Sequence, residues 1–112
     1  MVGPIKFEIR EAHERGNLTL SIIGELDLST VPAVVQRVDD RLDENVTTLT
    51  IDLSEVTFMD SSGLRLLIEL NQRADHETWE FSLLPSRHES AKVVLRMTGA
   101  ETALPFGDKP SS

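Results

Sequence analysis

The sequence predicts an α/β fold: a mixed, mostly parallel sheet of four to five strands with helices packed on it. Two observations carry this reading. Apolar and polar residues alternate in short runs near residues 5–9, 18–22, 49–53 and 79–83. Between the later runs lie stretches with apolar residues at helical spacing, and such strand–helix–strand units require parallel neighbours joined by crossovers. A length of 112 residues suits one compact domain with a single core.

Each element has its own local cause. Ile5, Phe7 and Ile9 alternate with Lys6, Glu8 and Arg10, the period of a half-buried strand. Gly16-Asn17 marks a turn, and Leu18, Leu20 and Ile22 continue as a second strand, giving a hairpin with a longish loop that holds His13. Gly24-Glu25-Leu26-Asp27 closes that strand. Ser29 or Thr30 can cap the next helix, and Pro32 fits its first turn, where no amide hydrogen is needed. Val31, Val34, Val35, Val38 and Leu42 form its apolar stripe. Asp39, Asp40, Asp43 and Glu44 near its end oppose the macrodipole and read as a solvated face or a partner surface.

Leu49, Ile51 and Leu53 make the third strand, and a helix follows from about Ser61 to Ala74, with Leu64, Leu67, Ile68 and Ala74 inward and Leu66 and Leu70 widening the face. Trp79, Phe81 and Leu83 make the fourth strand, ended by Pro85. Ser86-Arg87-His88-Glu89 has the capping-box pattern, with Ala91, Val94, Leu95 and Thr98 able to face inward and Gly99 placed as a C-cap. Leu104 and Phe106 form a short last strand or simply pack. The order is β-β-α-β-α-β-α, with the domain at residues 1–106 and the tail GDKPSS, 107–112, expected to be disordered.

Composition narrows the function classes. A net charge of −8 argues against nucleic acid and against an anionic membrane surface, both of which need a basic face. The absence of cysteine excludes disulfides, thiolate catalysis and thiolate metal sites. No signal peptide and no membrane span is expected, so the cytoplasm is the default location. His13, His76 and His88 share no metal-ligand spacing, and nothing resembles a P-loop or dinucleotide fingerprint.

The stretch with chemistry in it is Asp60-Ser61-Ser62-Gly63, on the first turn of a helix and beyond the carboxyl end of a parallel strand, where sites gather in α/β sheets. First-turn amides and the helix dipole favour negative charge there, so a phosphate ester on either serine would be well held. Gly63, without a Cβ, leaves room for another backbone or a bulky group. From these four residues alone, helix capping is a sufficient explanation.

Three blocks widen the reading: Gly24-Glu25-Leu26-Asp27; Val56-Thr57-Phe58-Met59-Asp60-Ser61-Ser62-Gly63-Leu64 after a Leu-Thr-Ile-Asp-Leu strand; and Met97-Thr98-Gly99-Ala100. In order and spacing, from about Ile5 to Phe106, they resemble the STAS domain family, in particular the anti-sigma factor antagonists of bacteria. That resemblance implies a protein switch. The unphosphorylated antagonist binds an anti-sigma factor that is also a serine kinase, which frees a sigma factor. The kinase uses ATP to phosphorylate the first serine of the pair, and a PP2C-type phosphatase removes the phosphate. On this chain the acceptor is Ser61, with Ser62 a helix-turn hydroxyl, Asp27 an aspartate that helps binding or phosphorylation, and Asp60 a locally orienting group. Asp27, Asp60, Ser61, Ser62, Gly63 and Arg65 form the expected partner-binding set, with no catalytic residue, metal or cofactor, and a monomer or weak dimer is expected. Arg65 stands where some members carry a small residue. It reads as a surface cation or as a contact to phosphate or an acidic partner.

Two rivals are weighed. A hydrolase would use Ser61 or Ser62 as nucleophile with His88 or His76 as base, but Met59 and Asp60 break the Gly-x-Ser-x-Gly elbow. The other rival is a STAS interaction or scaffold module of a signalling or transport complex that does not act on a sigma factor.

Overall fold

The computed structural model describes residues 6–107 and begins with the expected hairpin, though with a tighter turn. β1 (Glu8–Glu14) pairs antiparallel with β2 (Asn17–Leu26), and Glu14 faces Asn17, so Arg15 and Gly16 alone turn the chain. Both have positive φ, 54° and 84°, the twist that suits a two-residue hairpin turn. The longish loop is therefore absent, and His13 lies on β1. Ile5, the first residue of the expected strand, lies outside the described residues.

β3 (Thr48–Met59) joins β2 in parallel and β4 (Glu80–Leu84) joins β3 in parallel, giving one sheet in the order β1-β2-β3-β4. Leu18, Leu20, Ile22, Leu49, Ile51, Leu53, Phe81 and Leu83 are buried on one face. On the other face Thr50 and Ser82 share a hydroxyl hydrogen bond of 2.9 Å, and the alternating positions there are only half-buried. This is why parallel strands show alternation here instead of continuous apolar runs: one face alone meets the core.

β3 runs six residues past Leu53, where the sequence reading ends it. Opposite Ser21–Ile23 and again opposite Gly24–Glu25 it carries one extra residue, so its buried positions become Leu53, Val56 and Met59. Bulges of this kind break the period of two and bend the strand.

The helices supply the rest of the core. α1 (Val31–Arg41) contributes Val34 and Val38, and its Arg37 and Arg41 both reach Glu11 on β1, at 2.9 and 2.6 Å. Of its acidic end, Asp39 pairs with Arg73 at 2.9 Å and Asp40 accepts from Gln36. α2 (Ser61–Glu77) buries Gly63, Leu64, Leu66, Leu67, Leu70 and Ala74. Ile68, expected inward, is 38% exposed because Leu64, Leu67 and Leu70 already fill the stripe beside it.

α3 (Glu89–Thr98) buries Ala91 and Leu95, while Thr98, expected inward, is exposed and turns its hydroxyl back onto Val94 O at 2.7 Å. No capping box forms. His88 is the N-cap without a side-chain bond, and Ser86 is buried, donating to Val56 O at 2.7 Å and accepting from His88 N at 2.9 Å. β4 pairs with β3 only as far as Asp52, so the carbonyls beyond need other partners. Arg87 N meets Ser54 O, Ser86 meets Val56 O and the Ser90 hydroxyl meets Thr57 O. Gly99 is the C-cap with φ 82°, as expected, and a further turn, α4 (Ala100–Ala103), follows it. Leu104 is buried, Phe106 makes a single parallel bridge to Leu83, and Gly107 N donates to Leu83 O at 2.8 Å. Residues 108–112 of the expected tail lie outside the described residues.

Candidate functional site

Two strand-to-helix turns lie side by side at the carboxyl end of the parallel strands. Leu26 and Met59, the last residues of β2 and β3, are partners in the sheet, and each is followed by an aspartate. The Asp60 amide donates to Leu26 O at 3.4 Å and ties the second turn to the first.

Asp60 is the N-cap of α2. Its backbone is extended, and its Oδ1 accepts from Ser62 N at 2.8 Å and Gly63 N at 3.2 Å. Its carbonyl accepts from Leu64 N at 3.1 Å. Neither serine caps the helix. Ser61 takes the first helical position and is exposed, Ser62 is half-buried, and among the described residues neither hydroxyl makes a hydrogen bond. The expected cradle for a phosphate is altered by the same fact. The dipole remains, but the amides of Ser62, Gly63 and Leu64 already have acceptors on Asp60.

Gly63 has the role its missing side chain suggested. A Cβ there would stand 2.7 Å from Leu26 O and 2.7 Å from Met59 Cγ, so only glycine lets the first turn of α2 seat against the end of β2.

Asp27 organises the first turn in a different way. Its Oδ1 accepts from Ser29 N at 3.0 Å, the Ser29 hydroxyl at 2.8 Å and Thr30 N at 3.2 Å. The Ser29 hydroxyl, followed by the two amides, holds the Asp27 carboxyl below the usual carboxylate range. Thr30, the N-cap of α1, makes no capping bond, and its hydroxyl instead donates to Glu25 O at 2.8 Å and accepts from Asp27 N at 3.0 Å. Each aspartate uses Oδ1 for its turn, and Oδ2 has no hydrogen-bond partner among the described residues.

Between the two turns lies a groove of about 310 Å³, lined by Leu28 and Val31 on one side and by Ser61, Ser62, Arg65 and Glu69 on the other. Arg65 is exposed and in no ion pair among the described residues. All six expected residues thus lie at this end: Asp60, Ser61, Ser62, Gly63 and Arg65 on one helix start, with Asp27 beside them on the neighbouring turn. The residue that the sequence reading missed is Leu28, 75% exposed at the groove edge. An apolar residue between Asp27 and Ser29, off every apolar stripe, was its signal.

None of the three histidines lines this groove. His76 sits in the last turn of α2, four turns from Ser61, and contacts Gln72 O through Nδ1 at 3.2 Å. His88 faces a separate hollow with Lys6 and Arg87. A larger hollow of about 440 Å³ lies at the opposite end of the sheet, but its Arg73, Glu77 and Trp79 are already bonded to one another or to Asp39.

A family model described as "Mlab, STAS domain" matches residues 9–104, which takes in every element from β1 to α4. The chain belongs to the STAS domain family. Anti-sigma-F factor antagonist RsfB of Mycobacterium tuberculosis is 36% identical to this STAS domain over 73 residues, 65% of this chain and 60% of RsfB. The match therefore spans less than two thirds of that relative. An anti-sigma factor antagonist from Mycobacterium paratuberculosis has a similar structure, with a TM-score of 0.80 and 25% identity over 98% of this chain and 92% of the other. The Bacillus cell fate determinant SpoIIAA in its phosphorylated form shares the fold, with a TM-score of 0.68 and 20% identity, covering 95% of this chain and 93% of its own. Among the described residues no helix is long and apolar enough to cross a membrane.

Proposed function

We propose that this STAS domain is an anti-sigma factor antagonist and that phosphorylation of Ser61 switches its binding off. The observation that carries the reading is the state of the Ser61 hydroxyl. It is exposed on the first turn of α2, and Asp60 does the capping that would otherwise occupy it. A serine without a structural task, at the end of two parallel strands, is free to be a modification site. The antagonists among its relatives support the partner class.

In this reading the unphosphorylated domain binds an anti-sigma factor that is also a serine kinase, and a sigma factor is released. The kinase transfers the γ-phosphoryl group of ATP to Ser61 Oγ; the bond to the ADP leaving group breaks and the hydroxyl proton is lost. A PP2C-type phosphatase hydrolyses the ester and resets the switch. The domain is a binding protein rather than an enzyme and needs no cofactor. Its net charge of −8 speaks against a nucleic-acid partner. Asp27, Asp60 and Gly63 shape the two turns; Leu28, Ser61, Ser62 and Arg65 offer the contact face.

Local charge is enough for the switch. The ester adds about −1.5 to −2 charge units on the exposed first turn of α2, at a point that the complex must desolvate. Like charges forced together in an interface cost several kcal/mol, and about 1.4 kcal/mol is a tenfold loss of affinity.

The test is a pull-down with the wild type, Ser61→Ala and Ser61→Asp, with partners and phosphosites read by mass spectrometry. An anti-sigma kinase held by wild type and Ser61→Ala but lost by Ser61→Asp, with one ATP-dependent phosphate at Ser61, is the expected result. Modification only at other positions sinks the acceptor assignment. Equal binding by both variants would favour an interaction module of another complex.

A further inference from the structure

We propose that Arg65 is the internal ligand of the phosphate on Ser61, so that modification both adds negative charge and withdraws this cation from the groove. The inference rests on the phosphorylation of Ser61 proposed above. Three observations lead to it.

Ser61 and Arg65 are four residues apart on α2 and line the same groove. Helical side chains lean towards the N-terminus, so a long side chain at position 65 lies over the turn that carries position 61. Next, the turn has few donors left. The amides of Ser62, Gly63 and Leu64 are held by Asp60, which leaves a phosphate in need of a donor from elsewhere. Finally, Arg65 is available. Arg10, Arg37, Arg41, Arg73 and Arg96 are each committed to a carboxylate, whereas Arg65 is in no ion pair among the described residues.

Among the described residues Glu69 is the one acidic residue lining the groove, a turn further along α2. It carries one negative charge against about −1.5 to −2 on the ester, and the planar guanidinium matches two phosphate oxygens at once. The phosphate therefore wins Arg65. A partner that had met the groove as a balanced pair, Arg65 with Glu69, then meets net negative charge.

The experiment uses the full chain with phosphoserine installed at position 61 during translation, and follows the phosphorus resonance of the ester through its second ionisation. Arg65→Gln should raise the titration midpoint by about half a unit to one unit, because the cation that favours the dianion is gone. Arg15→Gln makes the same change in net charge at the hairpin turn, at the far end of β2, and should leave the midpoint in place. An unchanged midpoint in Arg65→Gln overturns the proposal, and so does an equal rise in Arg15→Gln. Installing the phosphate needs neither kinase nor partner. Failure here would leave the antagonist reading standing, and failure of the pull-down would leave this contact standing.

Discussion

The two turns at the carboxyl end of the sheet are built from the same residue types and end in opposite states. Asp27-Leu28-Ser29-Thr30 closes on itself: the aspartate accepts from the Ser29 and Thr30 amides and the Ser29 hydroxyl, and Thr30 bridges Glu25 O and Asp27 N. Asp60-Ser61-Ser62-Gly63 satisfies amides only and leaves two hydroxyls without a partner among the described residues. The difference lies in the backbone. Ser61 and Ser62 are already helical, so their side chains point away from the cap, whereas Ser29 precedes its helix and folds back. A hydroxyl one residue inside a helix is presented; one outside it is absorbed.

The largest expected effect tests what seats the second turn. Gly63→Ala should destabilise the domain by about 2–3 kcal/mol in urea unfolding, because the added methyl meets the fixed carbonyl of Leu26 as well as the movable Met59. A neutral substitution would mean that the turns are not in contact, and the comparison would lose its footing.

Next comes the cap. Asp60→Ala should cost about 1–2 kcal/mol, with no rescue from the serines that follow, since neither reaches the amides that Asp60 holds. A loss below about 0.3 kcal/mol would show that a serine can take over, and with it that Ser61 has a structural task.

The paired test of the hydroxyls is smaller and more pointed. Thr30→Val should cost about 1 kcal/mol for its two backbone bonds, while Ser61→Ala stays within about 0.5 kcal/mol of the parent. Equal losses would erase the distinction between the two turns.

The smallest effect is in acid. Because hydrogen bonds depress the Asp27 carboxyl in the folded state, its contribution is present above the ordinary carboxylate pKa and is lost as pH falls through the folded value. The stability gap between the parent and Asp27→Asn should therefore narrow between neutral pH and the acid limb of the unfolding curve. A gap that is constant with pH would show that the carboxylate charge plays no part in that turn.

Much of this was legible along the chain, and the failures have a common origin. The hairpin, the three principal helices and the Gly99 cap follow from periods and punctuation within a few residues of each position. β3 was cut short because its bulges change the spacing of buried residues from two to three after Leu53, which matches no simple strand pattern. Ser86 looked like a helix cap from its neighbours alone. It became an edge clamp because β4 ends early and leaves Val56 O exposed thirty residues away. Ile68 and Thr98 sit on apolar stripes whose inner positions other side chains had already filled.

The sequence by itself determined the order of the elements, the membership in the STAS family and the location of the aspartate-serine-serine-glycine turn. Those depend on periodicity and on residue types at fixed spacing, which neighbouring residues impose on one another. The tertiary structure alone decided that Asp60 caps α2, that Leu28 shares a groove with Ser61 and Arg65, and that Gly63 seats against Leu26. Competition for a hydrogen bond is settled by distance in space, and these partners are brought together only when β2 and β3 pair.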